Sequence, residues 1–238
     1  MNKYALLSAA ALLLASCAEA PTRAQSEGDN SEPRDEPKVM VASAVSGPQA
    51  PYVSDAPSGF ETAIFAGGCF WCVEKDFEEV PGVIEVVSGY SGGQVDNPNY
   101  KQVSYTETGH YEAAEVTFDP KVVSYRELVD FFWTTVDPTD PNGQFCDKGS
   151  SYRTAVFATP EQMADAQASL AAVEANKPFR ADIVTPILPA VTFYDAEGYH
   201  QDYYRKNPVR YKAYRTGCRR DARLKSLWGD QAKATPGK

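Results

Sequence analysis

The stretch ETAIFAGGCFWCVEKDFEEV, residues 61–80, decides how the rest of the chain is read. Residues 61–66 carry Ile64 and Phe65 among small neighbours and read as a short strand. Gly67-Gly68 then makes a tight bend. From Cys69 onward the apolar residues Phe70, Val73, Phe77 and Val80 recur at the spacing of one helix face. Pro81-Gly82 stops that helix. Strand, glycine pair and helix start together place Cys69 on a first helical turn. Unpaired N–H groups and the helix dipole stabilise a thiolate there, so Cys69 is expected to be a reactive thiol.

Outward from this stretch, strands and helices alternate. Residues 83–90 are β-like, and Ser91-Gly92-Gly93 opens a loop. Residues 113–118 form a strand closed by Asp119-Pro120. Ser124 and Glu127 have the spacing of a capping box, and Leu128, Phe131, Phe132 and Val136 make the apolar stripe of the helix that follows. Residues 154–158 are a strand, and Thr159-Pro160 starts a third helix with proline at its first position. Residues 183–187 and 191–194 read as strands, and 197–206 as a short helix. This interspersion predicts a two-layer α/β sandwich. Beyond Pro208 the chain is rich in Tyr and Arg without a clear period, and is read as a long ordered arm. No internal repeat is visible.

The 238 residues carry 23 basic and 32 acidic side chains, a formal net charge of −9. That balance favours solubility, and with Arg219-Arg220 as a short basic pair only, nucleic acid is not an expected partner. The N-terminus reads differently from the rest. Lys3 precedes an Ala- and Leu-rich run over residues 4–16, too short for a comfortable membrane span and typical of an export signal. It ends in Leu14-Ala15-Ser16-Cys17, which resembles the lipobox of bacterial lipoproteins. The resemblance implies a signal peptide over residues 1–16, a lipid on Cys17, and a periplasm-facing place in the cell envelope. Ala18 rather than Asp after the lipidated residue favours the outer membrane by analogy with lipoprotein sorting. Residues 17–58, rich in Pro, Ser, Ala, Glu and Asp, read as a disordered tether, and residues 59–238 as the folded domain.

Without Cys17, four of the five cysteines remain: Cys69, Cys72, Cys146 and Cys218. An envelope compartment permits disulfides, so two structural bridges are the plain reading. The placement of Cys69 argues against it, since a structural cysteine needs no helix-start position. Phe70 and Trp71 can wall a small apolar pocket beside the sulfur, one that suits a thioether methyl group. His110 and His200, the only histidines, have no partner at metal-ligand spacing, so no metal is expected.

Residues 67–74, Gly-Gly-Cys-Phe-Trp-Cys-Val-Glu, resemble the signature of the A-type peptide methionine sulfoxide reductases, which act on the S epimer. Pro81-Gly82-Val83, Ser88-Gly89-Tyr90-Ser91-Gly92-Gly93, Asn97-Pro98-Asn99-Tyr100 and Thr108-Gly109-His110-Tyr111-Glu112 match in order. So do Phe118-Asp119-Pro120, residues 147–153 (DKGSSYR), His200-Gln201-Asp202-Tyr203 and Lys206-Asn207-Pro208. The resemblance spans about residues 61–208. It implies an α/β sandwich with a ferredoxin-like core and a C-terminal arm, and no metal or organic cofactor. It also implies roles for single residues. Cys69 is the nucleophile, Glu112 the acid, and Tyr100 and Tyr152 donate hydrogen bonds to the sulfoxide oxygen. Phe70 and Trp71 form the methyl pocket, and Asp147 organises water and the resolving step. A sulfoxide is a poor electrophile until its oxygen is protonated, which is why thiolate and acid must meet.

The implied substrate is methionine sulfoxide, free or in oxidised proteins, acted on by a monomer that repairs oxidative damage. Attack leaves Cys69 as a sulfenic acid, a second thiol condenses with it, and an external thioredoxin-type dithiol reduces the disulfide. Cys218, in Thr216-Gly217-Cys218, is the first choice for that second thiol, because many members carry resolving thiols in a mobile tail. The tail departs from theirs, however, being basic where theirs is glycine-rich. Cys72, at a position that is Gly in many members, comes second, and Cys146, where many have Asn, third. Lys148 stands where many have His. Two other classes share some features: a thiol–disulfide oxidoreductase built on Cys69-x-x-Cys72, and a non-catalytic lipoprotein with bridged or zinc-binding cysteines. Aromatics between the cysteines disfavour the first, and the position of Cys69 disfavours the second.

Overall fold

Strand β1 (Glu61–Gly67) is buried on both faces, which is why its sequence is almost continuously small and apolar instead of alternating. In the computed structural model, which describes residues 49–236, it lies at the centre of a six-stranded sheet. The expected export signal, Cys17 and most of the tether lie outside the described residues. A turn leads from β1 into α1 (Phe70–Glu78), then to β2 (Val83–Ser91), α2 (Tyr100–Tyr105), β3 (Tyr111–Phe118) and α3 (Tyr125–Thr135). The two-residue strands β4 (Gly143–Gln144) and β5 (Asp147–Lys148) make a small separate ribbon. Then come β6 (Thr154–Ala158), α4 (Met163–Asn176), β7 (Ile187–Pro189), β8 (Phe193–Asp195) and α5 (Tyr203–Lys206). Helices α6 (Pro208–Gly217) and α7 (Arg220–Trp228) follow.

The strand order is β7-β6-β1-β3-β2-β8. Its four inner strands, β6-β1-β3-β2, all pair antiparallel, and β3 sits between β1 and β2, which α1 connects. This split βαβ arrangement is the ferredoxin-like core that the resemblance implied. β7 extends the sheet in parallel beside β6, and β8 extends it antiparallel beside β2.

The helices cover one face. Ala63 and Phe65 of β1, Val116 and Phe118 of β3 and Val156 of β6 share a core with Val73 and Phe77 of α1, Leu128 and Phe132 of α3, and Leu224 and Trp228 of α7. Phe65 is at its middle, stacked on Phe77 at 4.7 Å and Phe132 at 5.2 Å between ring centroids. On the other face Ile64, Ala66, Ala113 and Phe157 are covered by Tyr52, Leu188 and Phe193. The end of the expected tether is therefore folded. Pro51 bridges Val191, and the Tyr52 amide donates to the Ala190 carbonyl at 3.2 Å.

Other local expectations need correction. Thr159 and Gln162 exchange side-chain and backbone bonds around Pro160, but the regular helix begins only at Met163. Of residues 183–187 only Ile187 joins a strand, and the predicted helix over 197–206 shrinks to Tyr203–Lys206 behind Asp202, which has φ of 52°. Helix α2, which no apolar spacing announces, opens with the Asn99–Gln102 capping box. The arm after Pro208 is two helices. Tyr211, Tyr214, Arg215 and Cys218 do fall at i, i+3, i+4 and i+7, but their stripe is aromatic and cationic, so a search for aliphatic residues passes over it.

Phe65→Ala is expected to cost about 3–5 kcal/mol, since two stacked rings and the helix layer would face a cavity. Urea unfolding measures this, and a loss near zero would mean that β1 does not anchor the core.

Candidate active site

The turn between β1 and α1 is built by close approach. Gly68 has φ of +77°, and a Cβ there would meet the Gln144 Cβ at 2.5 Å, so a side chain would be both strained and blocked. Buried Gln144 in turn grips the backbone of Asp137: its Nε2 donates to the Asp137 carbonyl at 2.7 Å, and its Oε1 accepts from the Asp137 amide at 2.9 Å. From the other side, Arg220 Nη1 donates to the Gly67 carbonyl at 3.1 Å. Cys69 is thereby fixed as the N-cap residue of α1.

The helix start acts otherwise than expected. Its free Phe70 amide donates to Glu112 Oε2 at 3.1 Å, so the carboxyl group on β3 takes this N–H. Cys69 is only 5% exposed, and burial, together with the neighbouring Cys72 and Glu112, raises its pKa well above the ordinary thiol value. Cys72, 1% exposed, shifts the opposite way through its contact with Cys69, helped by the guanidinium groups of Arg220 and Arg215. Of the two adjacent thiols, negative charge is easier to hold on Cys72.

Burial also pushes Glu112 up to about 8, against the opposing pull of the Phe70 amide. The group is therefore mostly protonated at neutral pH. Its Oε1 is buried without a hydrogen-bond partner, a cost that a bound oxygen would relieve.

Cys69 and Glu112 line one small cavity of about 60 Å³ with Phe70, Trp71, Tyr100, Tyr152, Asp147 and Tyr214. The fold thus gathers all the expected groups except the tail thiol. Tyr100 opens α2, and its amide is held by Glu197 Oε1 at 2.9 Å. Tyr152 closes a 3-10 turn over Ser150–Tyr152 just before β6, with its hydroxyl beside the Glu112 carboxyl. Trp71 stacks on Tyr203 at 3.8 Å, and its indole N–H donates to His200 Nδ1 at 3.1 Å. His200 also packs on Phe70, with 4.9 Å between ring centroids, so this histidine holds the aromatic wall in place.

Cys218 is not brought to Cys69. Helix α6 runs to Gly217 and sets Cys218 against the β4–β5 turn, where it is disulfide-bonded to Cys146 with 4.9 Å between Cα atoms. Among the described residues the free cysteines are Cys69 and Cys72, both buried. Three residues of the tail were missed as site components. Tyr214 lines the cavity and donates to Asp147 Oδ2. Buried Arg215 binds Asp76, at 2.9 Å, and Arg220 reaches the turn that carries Cys69. The helical spacing of Tyr211, Tyr214 and Arg215 was the available signal.

Comparison with known proteins agrees with this geometry. A family model for peptide methionine sulfoxide reductase matches residues 61–232. The chain is 54% identical to peptide methionine sulfoxide reductase MsrA 2 of Caulobacter vibrioides over 190 residues, covering 79% of this chain and 95% of that protein. It is 49% identical to peptide methionine sulfoxide reductase MsrA of Bacillus subtilis over 170 residues, covering 71% and 96% of the two chains. Among solved structures, methionine sulfoxide reductase A of Corynebacterium diphtheriae is similar with a TM-score of 0.58 and 34% identity, over 68% of this chain and 84% of that one. With the thiol, the buried acid and the aromatic wall in one cavity, these matches establish that the chain belongs to the peptide methionine sulfoxide reductase family.

Proposed function

We propose that this chain reduces the S epimer of methionine sulfoxide, free or in proteins, with Cys69 as nucleophile and Glu112 as acid. The observation that carries the assignment is their shared cavity, in which Glu112 holds a proton at neutral pH beside the Cys69 sulfur. The sulfoxide methyl group lies against Phe70 and Trp71, and Tyr100 and Tyr152 donate to its oxygen. The Cys69 thiolate attacks the sulfoxide, Glu112 gives its proton to the oxygen, and the substrate's sulfur–oxygen bond breaks as a bond forms between that oxygen and the Cys69 sulfur. Methionine leaves, and the oxygen stays on Cys69 as a sulfenic acid. A thiol then displaces it as water, forming a disulfide, and an external thioredoxin-type dithiol takes over that disulfide.

The same reading makes Cys72 the resolving thiol in place of Cys218. Cys72 adjoins Cys69 and is shifted toward its thiolate, whereas Cys218 is bonded to Cys146. Sulfur carries every electron in this scheme, so it requires no metal or organic cofactor and is complete in a monomer. We further propose lipidation at Cys17 and a periplasm-facing, outer-membrane location, on the strength of residues 1–18.

Glu112→Gln keeps a hydrogen-bonding group but has no acidic proton. Single-turnover release of methionine is expected to slow about 10²–10⁴-fold with S-sulfoxide, while the R epimer is poorly used by the parent protein. Equal rates for variant and parent would remove Glu112 as the acid. In the parent, the pH–rate profile should break near 8, where Glu112 loses its proton, and that break should be absent from Glu112→Gln.

Cys72→Ser is expected to accumulate the Cys69 sulfenic acid, trapped by dimedone, whereas Cys218→Ser should still form a Cys69 disulfide. The reverse pattern in a disulfide map would restore Cys218 to the role.

A further inference from the structure

The proposed chemistry leaves one proton unaccounted for. Cys69 must lose a proton before it attacks, yet it is buried, and Glu112 is the group that gives a proton up. The groups facing Cys69 are Cys72 from its own helix, Glu112 from β3, Tyr100 from α2, Tyr152 from the turn before β6, Asp147 from β5 and Tyr214 from α6. Arg215 and Arg220 stand beyond Cys72. Of these, Cys72, kept for the resolving step, and Asp147 can each take a proton, and Tyr214 connects Asp147 to the thiol. The Tyr214 hydroxyl donates to Asp147 Oδ2 and lies beside the Cys69 sulfur.

Several contacts fix Tyr214 there. Its ring meets Trp71 edge-on at 5.9 Å with an 82° interplanar angle. The next residue, Arg215, binds buried Asp76 at 2.9 Å. Four residues on, the Cys146–Cys218 disulfide ties the end of α6 to the residue beside Asp147. Cys146 Sγ lies 3.7 Å from Asp147 Oδ1, so this bridge clamps both ends of the tyrosine–aspartate pair.

We propose that Tyr214 is a catalytic residue that relays the Cys69 proton to Asp147 and then donates to the thiolate it has made. The Cys69 S–H bond breaks as a new Tyr214 O–H bond forms, and the original hydroxyl proton of Tyr214 passes to Asp147 Oδ2. No electrons change hands; one negative charge moves from carboxylate to sulfur. The thiolate attacks the sulfoxide, Glu112 protonates its oxygen, and methionine leaves Cys69 as a sulfenic acid. Protonated Asp147 and deprotonated Glu112 then exchange the proton through solvent, restoring both groups. This assignment rests on Cys69 being the nucleophile.

Tyr214→Phe tests it in the full chain, because the ring and its contact with Trp71 are kept. Three quantities are read: single-turnover release of methionine without reductant, KM for the sulfoxide from steady-state turnover with dithiothreitol, and iodoacetamide labelling of Cys69 against pH by peptide mass spectrometry. Expected are a release about 100-fold slower at neutral pH with KM for the sulfoxide unchanged, and a labelling midpoint moved to higher pH. Asp147→Asn removes the proton acceptor and should slow release likewise, and it serves as the second variant if Tyr214→Phe does not fold. An unchanged midpoint and an unchanged release rate in a folded variant overturn the relay. So does a rate that falls through KM alone, the mark of a merely structural role. Cys69→Ser is the control for the underlying reading: if it still releases methionine, the nucleophile is wrong. If it is inactive while Tyr214→Phe is unimpaired, only the relay fails.

Discussion

One hydrogen bond organises this molecule: the Phe70 amide, the first free N–H of α1, donating to the buried Glu112 carboxyl of β3 at 3.1 Å. A helix start leaves several N–H groups unpaired, and a buried carboxyl group costs free energy unless it is bonded or neutral. Each need meets the other here. The bond pins the N-terminus of α1 over the middle of the sheet and brings Cys69 and Glu112 into one cavity. It also determines what the helix start is used for. The N–H that would have stabilised a thiolate holds the acid instead, and Cys69 depends on its other neighbours for ionisation.

The C-terminal helices supply many of those neighbours. Arg215 and Arg220 are buried with their guanidinium groups bound to Asp76, to the Gly67 carbonyl and to the Thr135 carbonyl at 2.9–3.1 Å. Buried charge is costly unless geometry and hydrogen bonds are good, which makes such pairs better at specifying position than at adding stability. In this fold they place α6 across Cys69 and Cys72 and lend positive charge to Cys72. The Cys146–Cys218 disulfide completes the closure. The tail therefore forms a wall of the site, with a thiol pair beneath it and a disulfide at its rim.

Much of the fold was legible because its signals are local. The helix of residues 70–78 and the helix capped by Ser124 show apolar spacing, and β1 and β3 show compact apolar runs. Where the expectations slipped, a longer-range contact had intervened. Residues 183–186 stay outside the strands, the Val184 amide donating to the Pro138 carbonyl at 2.8 Å instead of to a strand, and Tyr52 folds because β1 and β3 offer Thr62 and Glu115 to its hydroxyl. The arm concealed its helices because its buried face is Tyr211, Tyr214 and Arg215, whose burial depends on partners far away in the chain.

By itself, the sequence determined the α/β class, the strand–turn–helix that presents Cys69, and the ordered motifs that mark the reductase family, because each depends on residue type and spacing alone. Tertiary structure decided the charge states and the thiol partners. The Glu112 pKa is pushed up because β3 is buried at that point, and Cys72 adjoins Cys69 under α6 while Cys218 pairs with Cys146 across 72 residues. Burial and contact between distant residues set those properties, and a linear chain displays neither.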